Sequence, residues 1–247
     1  MASPRARIGT SGWVYDSWRG TVYPSGVPDA RRLEYYVANL FDTVELNASF
    51  YRWPNVTSFR SWRRRLPDGF ELTVKAPRTL THAKRLYEPE RWIGWMKERL
   101  DLLGDRLGVV LFQLPPDLQR DDARLDYFLG ALPSEWKVAV EFRHPSWHED
   151  GVFDLLERHG AAYVVMSGAK LPCILRATAG FAYVRFHGPD EHHLYGGSYD
   201  DASLRWWAER ISEWLTQGRD VYGYFNNDWD GHAVRNGQTL LTQLAAR

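Results

Sequence analysis

Glu45, Glu141 and His187 are the residues of this chain best suited to move protons, and each stands at the end of a short apolar run. The same arrangement recurs in Val44-Glu45-Leu46-Asn47, Val74-Lys75, Phe112-Gln113, Val140-Glu141-Phe142-Arg143, Val184-Arg185-Phe186-His187 and Phe225-Asn226-Asn227-Asp228. Charged groups are rare on buried strands unless they are paired or functional, so a set of them at strand ends points to one shared pocket. Guanidinium forks at Arg143 and Arg185, with the Lys75 ammonium, suit phosphate or carboxylate. Glu141 and His187 could shuttle protons, while Glu45 and an Asn could orient a hydroxyl or a water. Hydrolase, lyase and isomerase chemistry all fit this set. The expected ion pairs are Glu141 with Arg143 or Arg185, and Glu45 with Lys75. A purely structural network would use the same residues, although buried ion pairs are poor sources of net stability.

The elements that must position these groups follow from hydrophobic periodicity. Apolar, β-branched runs predict strands over 7–13, 43–51, 70–77, 107–114, 137–143, 161–167, 181–187 and 220–227. Amphipathic stretches predict helices over 29–41, 56–65, 89–103, 121–132, 151–159, 203–216 and 231–244. Asp29 and Asp201 suit helix N-caps, Pro89 a first helical turn, and Gly104, Gly160 and Gly218 helix stops. Strands separated by helices run parallel, and about eight βα units in about 250 residues suggest a TIM-type (β/α)8-like barrel. One domain over residues 1–247 is expected, with elements from about residue 7 to about 244. The sixth crossover, 168–180, has weak helical periodicity and reads as irregular; 187–201 reads as a long loop that could form a lid.

Alternation along a strand places Glu45, Asn47 and Ser49 on one side, and likewise Thr73 with Lys75, Leu111 with Gln113, Glu141 with Arg143, and Tyr183 with Arg185 and His187. These should face the barrel axis, near the C-terminal strand ends where such folds carry their sites. Parity does not decide whether Asn226 or Asn227 points inward. His144 leaves its strand into a loop, either as a ligand contact or as a hydrogen-bonded strut. Trp13, Tyr15 and Tyr51, with Trp147, lie just past strand ends, where rings could stack on a base or sugar or simply roof the core. His82, His192 and His193 read as solvated loop residues.

Composition narrows the classes. Lys plus Arg and Asp plus Glu both number 31, so no global field draws in a polyanion. Cys173 is the single cysteine, which excludes an intrachain disulfide and a thiolate cluster and suits a reducing compartment. The first residues lack an apolar targeting core and no run is long enough to span a membrane, so a cytoplasmic protein is expected. No Gly-x-Gly-x-x-Gly turn, Walker A loop, His-Glu-x-x-His or Gly-x-Ser-x-Gly elbow is present, and no organic cofactor is implied. Glu45, Glu141 and His187 form the one carboxylate and imidazole set that could accept a divalent ion.

Gly9-Thr10-Ser11-Gly12-Trp13-Val14-Tyr15, Glu45 to Tyr51, Val74-Lys75, Phe112 to Pro116, Glu141-Phe142-Arg143-His144, Tyr183 to Gly188 and Phe225 to Asp228 together resemble the YecE-like family, domain of unknown function seventy-two. The resemblance spans nearly the whole chain and implies a TIM-barrel-like fold, without an established reaction. The leading expectation is therefore an enzyme acting on a small or oligomeric anionic substrate, such as a phosphorylated sugar or nucleotide-like compound. Two alternatives stand beside it: a single-stranded nucleic-acid binding module, and a glycoside hydrolase built on Glu45 and Glu141.

Overall fold

Short runs rich in valine, phenylalanine and tyrosine form strands because their branched and flat side chains pack on a pleated surface, and the amphipathic stretches between them form helices. The computed structural model describes residues 3–247. Its strands are β1 (Ala6–Thr10), β2 (Thr43–Leu46), β3 (Glu71–Lys75), β4 (Leu107–Gln113), β5 (Lys137–Glu141), β6 (Ala162–Ser167), β7 (Phe181–Phe186) and β8 (Asp220–Phe225). The helices are α1 (Arg32–Asn39), α2 (Val56–Arg65), α3 (Pro89–Leu100), α4 (Asp122–Ala131), α5 (Asp150–Arg158), α6 (Asp201–Thr216) and α7 (His232–Ala245). The fold is of the (β/α)8 TIM type, with eight strands among the described residues. No helix lies between β6 and β7, as the weak periodicity there predicts.

Several boundaries differ from the sequence reading, each for a local reason. β2 ends at Leu46 rather than running to Tyr51: Asn47 turns to φ −83° and ψ −27°, and Ala48–Phe50 forms a 3-10 turn. The Ser49 hydroxyl holds that turn by donating to the Leu46 carbonyl at 2.7 Å and the Lys75 carbonyl at 2.6 Å. Asp29 and Asp201 are not N-caps: Asp29 begins a 3-10 turn, and Asp200 caps α6 by accepting from the Ser203 amide at 2.7 Å. Pro89 does open α3.

By packing, the chain divides into two units. The first comprises the chain up to Glu45 with Val165–Leu175 and Gly180–Arg247. Within it β7 and β1 both pair in parallel with β8, and a bridge from Ser11 to Glu45 ties the end of β1 to β2. Its packing is aromatic: Phe186 stacks on Phe225 at 4.2 Å, Trp207 meets Phe186 edge-on, and Tyr183 lies 5.5 Å from Tyr224. The second unit comprises Leu46–Val164 and Arg176–Ala179. Here β4 pairs in parallel with both β3 and β5, and Gln113 stands level with Glu141. Asn55 and Asp121 cap α2 and α4, and Phe112 packs edge-on to Phe128 beneath α4.

The long segment after β7, in the first unit, is tied down rather than loose. Tyr195 donates its amide to the His187 carbonyl at 2.8 Å, and the Gly188 amide donates to the Tyr199 hydroxyl at 3.1 Å. Gly188 has φ +91°, and a Cβ there would sit 2.1 Å from the Gly196 carbonyl oxygen. Gly188→Ala is therefore expected to destabilise the protein by at least about 1–2 kcal/mol from backbone strain, with the clash in addition. Urea unfolding monitored by tryptophan fluorescence measures it.

Candidate functional site

In the first unit the candidate residues gather around one buried carboxylate. Glu45 Oε1 accepts from the Ser11 hydroxyl at 2.5 Å and from Arg185 Nη2 at 2.7 Å, and Oε2 accepts from the Tyr183 hydroxyl at 2.6 Å. Glu45 and Arg185 are both fully buried. Tyr183 and Arg185 are two residues apart on β7 and reach the same carboxylate, so strand parity places them as the sequence predicts. Burial opposes the Glu45 charge, but Arg185 and the Ser11 and Tyr183 hydroxyls outweigh it and hold the carboxyl below its usual range. Glu45 is thus a fixed anion with donors on both oxygens, an arrangement that suits an anchor and not a proton donor.

Beside this anchor, the Tyr15 hydroxyl donates to the Ser11 carbonyl and shares a hydrogen bond with the Asp228 carboxylate. Gly12, at φ +101°, lets that ring approach, since a Cβ would lie 2.7 Å from the Tyr15 hydroxyl. Trp18 Nε1 holds the Asp228 carbonyl at 2.7 Å. Burial, then the Asp228 and Glu45 charges, push the Tyr15 phenol far above its ordinary value, so it stays a neutral donor. Burial raises the Asp228 carboxyl, against the backbone and Tyr15 hydrogen bonds that lower it.

His187 is fully buried, with Nδ1 3.3 Å from Asn226 Nδ2. The unresolved parity at the end of β8 is settled by these contacts. Tyr224 lies against Tyr183, and Asn226, two residues on, follows the same side to His187. Asn227 turns the other way, donating to the Gly197 carbonyl and to Asn236 Oδ1 at 2.9 Å each, where it ties the long segment to α7. Trp13 is packed away, its carbonyl accepting from the Tyr23 hydroxyl at 2.6 Å.

The second unit gathers the remaining candidates around β3 and β5. Glu141, fully buried, pairs with the Arg143 guanidinium. The Lys75 ammonium lies 4.2 Å over the Phe50 ring, whose edge contact with His82 is at 4.9 Å. Burial first, then the positive charges of Lys75, Arg78 and Arg143, push the His82 imidazole down to about 4; Asp117 acts in the opposite sense. His144 is a strut: its Nδ1 accepts from the Ser146 amide at 3.2 Å. Tyr51 is 77% exposed, and Trp147 is core, stacked on Phe142. Gln113 is half-buried at the end of β4, and the buried Asn47 Oδ1 has no hydrogen-bond partner.

Asp228 closes a motif visible in the sequence yet is absent from its expected site set, as are Ser11, Tyr183 and His82. Tyr183 was within reach through its parity with Arg185; His82 was not, because its neighbours come from distant segments. Among the described residues no group of three or more His, Cys, Asp and Glu side chains is arranged to hold a metal ion. Nor is any helix among them long and apolar enough to cross a membrane.

A family of proteins of unknown function, DUF72, matches residues 7–247. The chain belongs to this family. It is 28% identical to the UPF0759 protein YunF of Bacillus subtilis, over 96% of this chain and 94% of that one. Its similarity to the UPF0759 protein YecE of Escherichia coli K12 is 30% identity over 58% of this chain and 50% of that protein. Among solved structures, a DUF72 family protein from Thermotoga maritima superposes with a TM-score of 0.89 at 30% identity, covering 98% of this chain and 99% of that one. A DUF72 protein from Enterococcus faecalis, at 18% identity and a TM-score of 0.83 over 97% and 95% of the two chains, shares the fold.

Two predictions follow from opposite shifts in this family member. Glu45→Gln leaves Arg185 uncompensated and is expected to lower stability by about 3–5 kcal/mol at neutral pH. Because the native Glu45 carboxyl lies below its unfolded value, that deficit should shrink as pH falls below about 4 in denaturant melts. Asp228 behaves in the reverse sense. Its native carboxyl is raised, so burial of the charged form opposes folding above its unfolded value; Asp228→Asn should raise the melting temperature at neutral pH, and the gain should disappear in acid.

Proposed function

We propose that this DUF72 protein is an enzyme that binds an anionic substrate, a phosphorylated sugar or nucleotide-like compound, and acts on it by general acid and base chemistry. The observation that carries the reading is the supply of cationic side chains by separate segments of the second unit: the Lys75 ammonium lies 4.2 Å over the Phe50 ring, whose edge His82 meets, and the Arg143 guanidinium stands just beyond β5. Lys75 ends β3, Arg78 stands at the head of the π-helical turn beyond it, and Arg143, paired with Glu141, follows β5. Sheet pairing fixes Lys75 on β3 and holds the end of β5, from which Arg143 follows, and such fixed placement pre-organises cations for a phosphate's several oxygens.

Proton-moving groups are present in the first unit: the raised Asp228 carboxyl beside Tyr15, and His187 beside Asn226. A carboxyl lifted above its ordinary range keeps its proton closer to neutral pH, which suits a general acid. The saturated Glu45 supports a positioning role for that residue and turns the reading away from a hydrolase using it as an acid. Cys173, free and exposed, suits action in a reducing compartment such as the cytoplasm.

Thermal melts of the wild type with inorganic phosphate, sulfate, sugar phosphates and nucleotides test the reading, since a ligand at 100 times its dissociation constant stabilises by about 2.7 kcal/mol. The expected result is a rise in melting temperature that falls with added sodium chloride and is lost in Lys75→Met and weakened in Arg78→Ala. Stabilisation by neutral sugars alone, or equal stabilisation of both variants, overturns it.

A further inference from the structure

His187 directly follows β7, and its backbone is fixed in both directions. Its amide donates to the Ser167 carbonyl at 2.7 Å, and its carbonyl accepts from the Tyr195 amide at 2.8 Å. The side chain is fixed as well. Nδ1 lies 3.3 Å from Asn226 Nδ2, and the Tyr195 ring packs on the imidazole with centroids 5.4 Å apart and planes inclined at 56°. Asn226 is itself placed by its backbone amide, which donates to the Phe186 carbonyl at 2.8 Å, and by the stacking of Phe225 on Phe186 just before it. Tyr195 holds a φ of +73°, which a residue with a Cβ adopts only where its surroundings compel it. Two side chains from different parts of the first unit thus set the plane of the imidazole and the surroundings of one of its nitrogens.

We propose that Asn226 is a positioning residue that keeps the His187 imidazole neutral, with its ring proton on Nε2. This inference rests on the enzyme reading above and assigns a role within it: His187 serves as a hydrogen-bond donor to a substrate oxygen, and the base that removes a proton is a different group.

The argument is one of donors and acceptors. An amide nitrogen carries two protons and accepts nothing, so Nδ1 must present a lone pair to it. A neutral imidazole that accepts at Nδ1 has its single proton on Nε2; an imidazolium would set one N–H against another. At an exposed site a water, which donates and accepts equally well, could take the place of the amide. His187 is fully buried and Asn226 nearly so, and the orientation of the amide therefore decides the tautomer. A general base must offer a lone pair, and the lone pair on this ring is the one Asn226 engages. The group that meets Nε2 meets a donor, and a neutral imidazole N–H held in a dry site is suited to stabilising an oxygen on which negative charge develops. Other side chains at 226 would impose other states. A carboxylate would accept, and so call for a proton on Nδ1, whereas an aliphatic chain would leave Nδ1 without the amide.

Long-range proton–nitrogen-15 NMR spectra of the ligand-free protein report which ring nitrogen carries the proton, at about pH 8, above the ordinary histidine range. Signals lost in His187→Gln identify the ring. The expected wild-type spectrum shows Nε2 protonated and Nδ1 as a lone-pair nitrogen displaced upfield by an accepted hydrogen bond. That displacement should be lost in Asn226→Leu, and Asn226→Asp should bring a proton to Nδ1. A wild-type ring protonated on Nδ1, or an Nδ1 signal unchanged in Asn226→Leu, overturns the assignment. Should the leucine variant fail to fold, Asn226→Asp, of nearly the same size, decides with the wild type: a ring that keeps Nδ1 unprotonated beside the carboxylate also overturns it. The spectra need no ligand, so melts that show no stabilisation by phosphate overturn the proposed function alone, and spectra of the wrong tautomer overturn this inference alone.

Discussion

The burial of Glu45 against Arg185 constrains the first unit more than any other interaction. Two ions removed from water each carry a desolvation penalty of several kcal/mol, and their attraction offsets it only if the remaining lone pairs and protons are also satisfied. That requirement reaches into separate strands. Ser11 must follow β1 at the right height, Glu45 must sit on β2, and Tyr183 and Arg185 must occupy alternate positions on β7. A one-residue slip of β7 would send both donors to the opposite side and strand the carboxylate. The ion pair therefore contributes register more than net stability. The parallel pairing of β1 and β7 with β8 is the backbone expression of the same constraint.

The second unit handles its charges differently. Glu141 is matched by a guanidinium two residues along the same chain. Lys75 is supported by an aromatic face, an environment that tolerates an ammonium while leaving its field strong. Burial first, then the charges of Lys75, Arg78 and Arg143, hold the His82 imidazole low. Neutral overall charge conceals this, because the balance of 31 against 31 is struck over the whole surface.

Most of this architecture is legible in the residues, and the exceptions have physical causes. The alternation of apolar runs with amphipathic stretches suffices for the strand and helix order, because burial imposes periods of 2 and about 3.6. Parity carries Tyr183, Arg185 and His187 to one side because β7 stays regular through Phe186. It fails beyond Leu46, where the Ser49 hydroxyl gives two carbonyls a partner and lets the chain turn out of the strand. At Asn226 and Asn227 the pattern has no following strand residue to fix its phase, and only contacts with His187 and Asn236 separate them. His82 was the hardest to read. Nothing at Thr81-His82-Ala83 marks it, since the charges that act on it come from positions 75, 78, 117 and 143.

The ionisable groups divide by what their surroundings do to them. Glu45 is held in the charge state it would have in water, only more firmly, and such a group serves structure because it cannot readily exchange a proton. Asp228 and His82 are pushed the other way, an acid toward its neutral form and a base toward its neutral form. Holding them there opposes folding at the pH values where they would otherwise ionise. The raised Asp228 carboxyl lies closer to neutral pH, so its two charge states are nearer in energy there, whereas the lowered His82 imidazole is held more firmly neutral. That asymmetry, rather than the number of charged residues near strand ends, sets Asp228 apart from the fixed anion at Glu45.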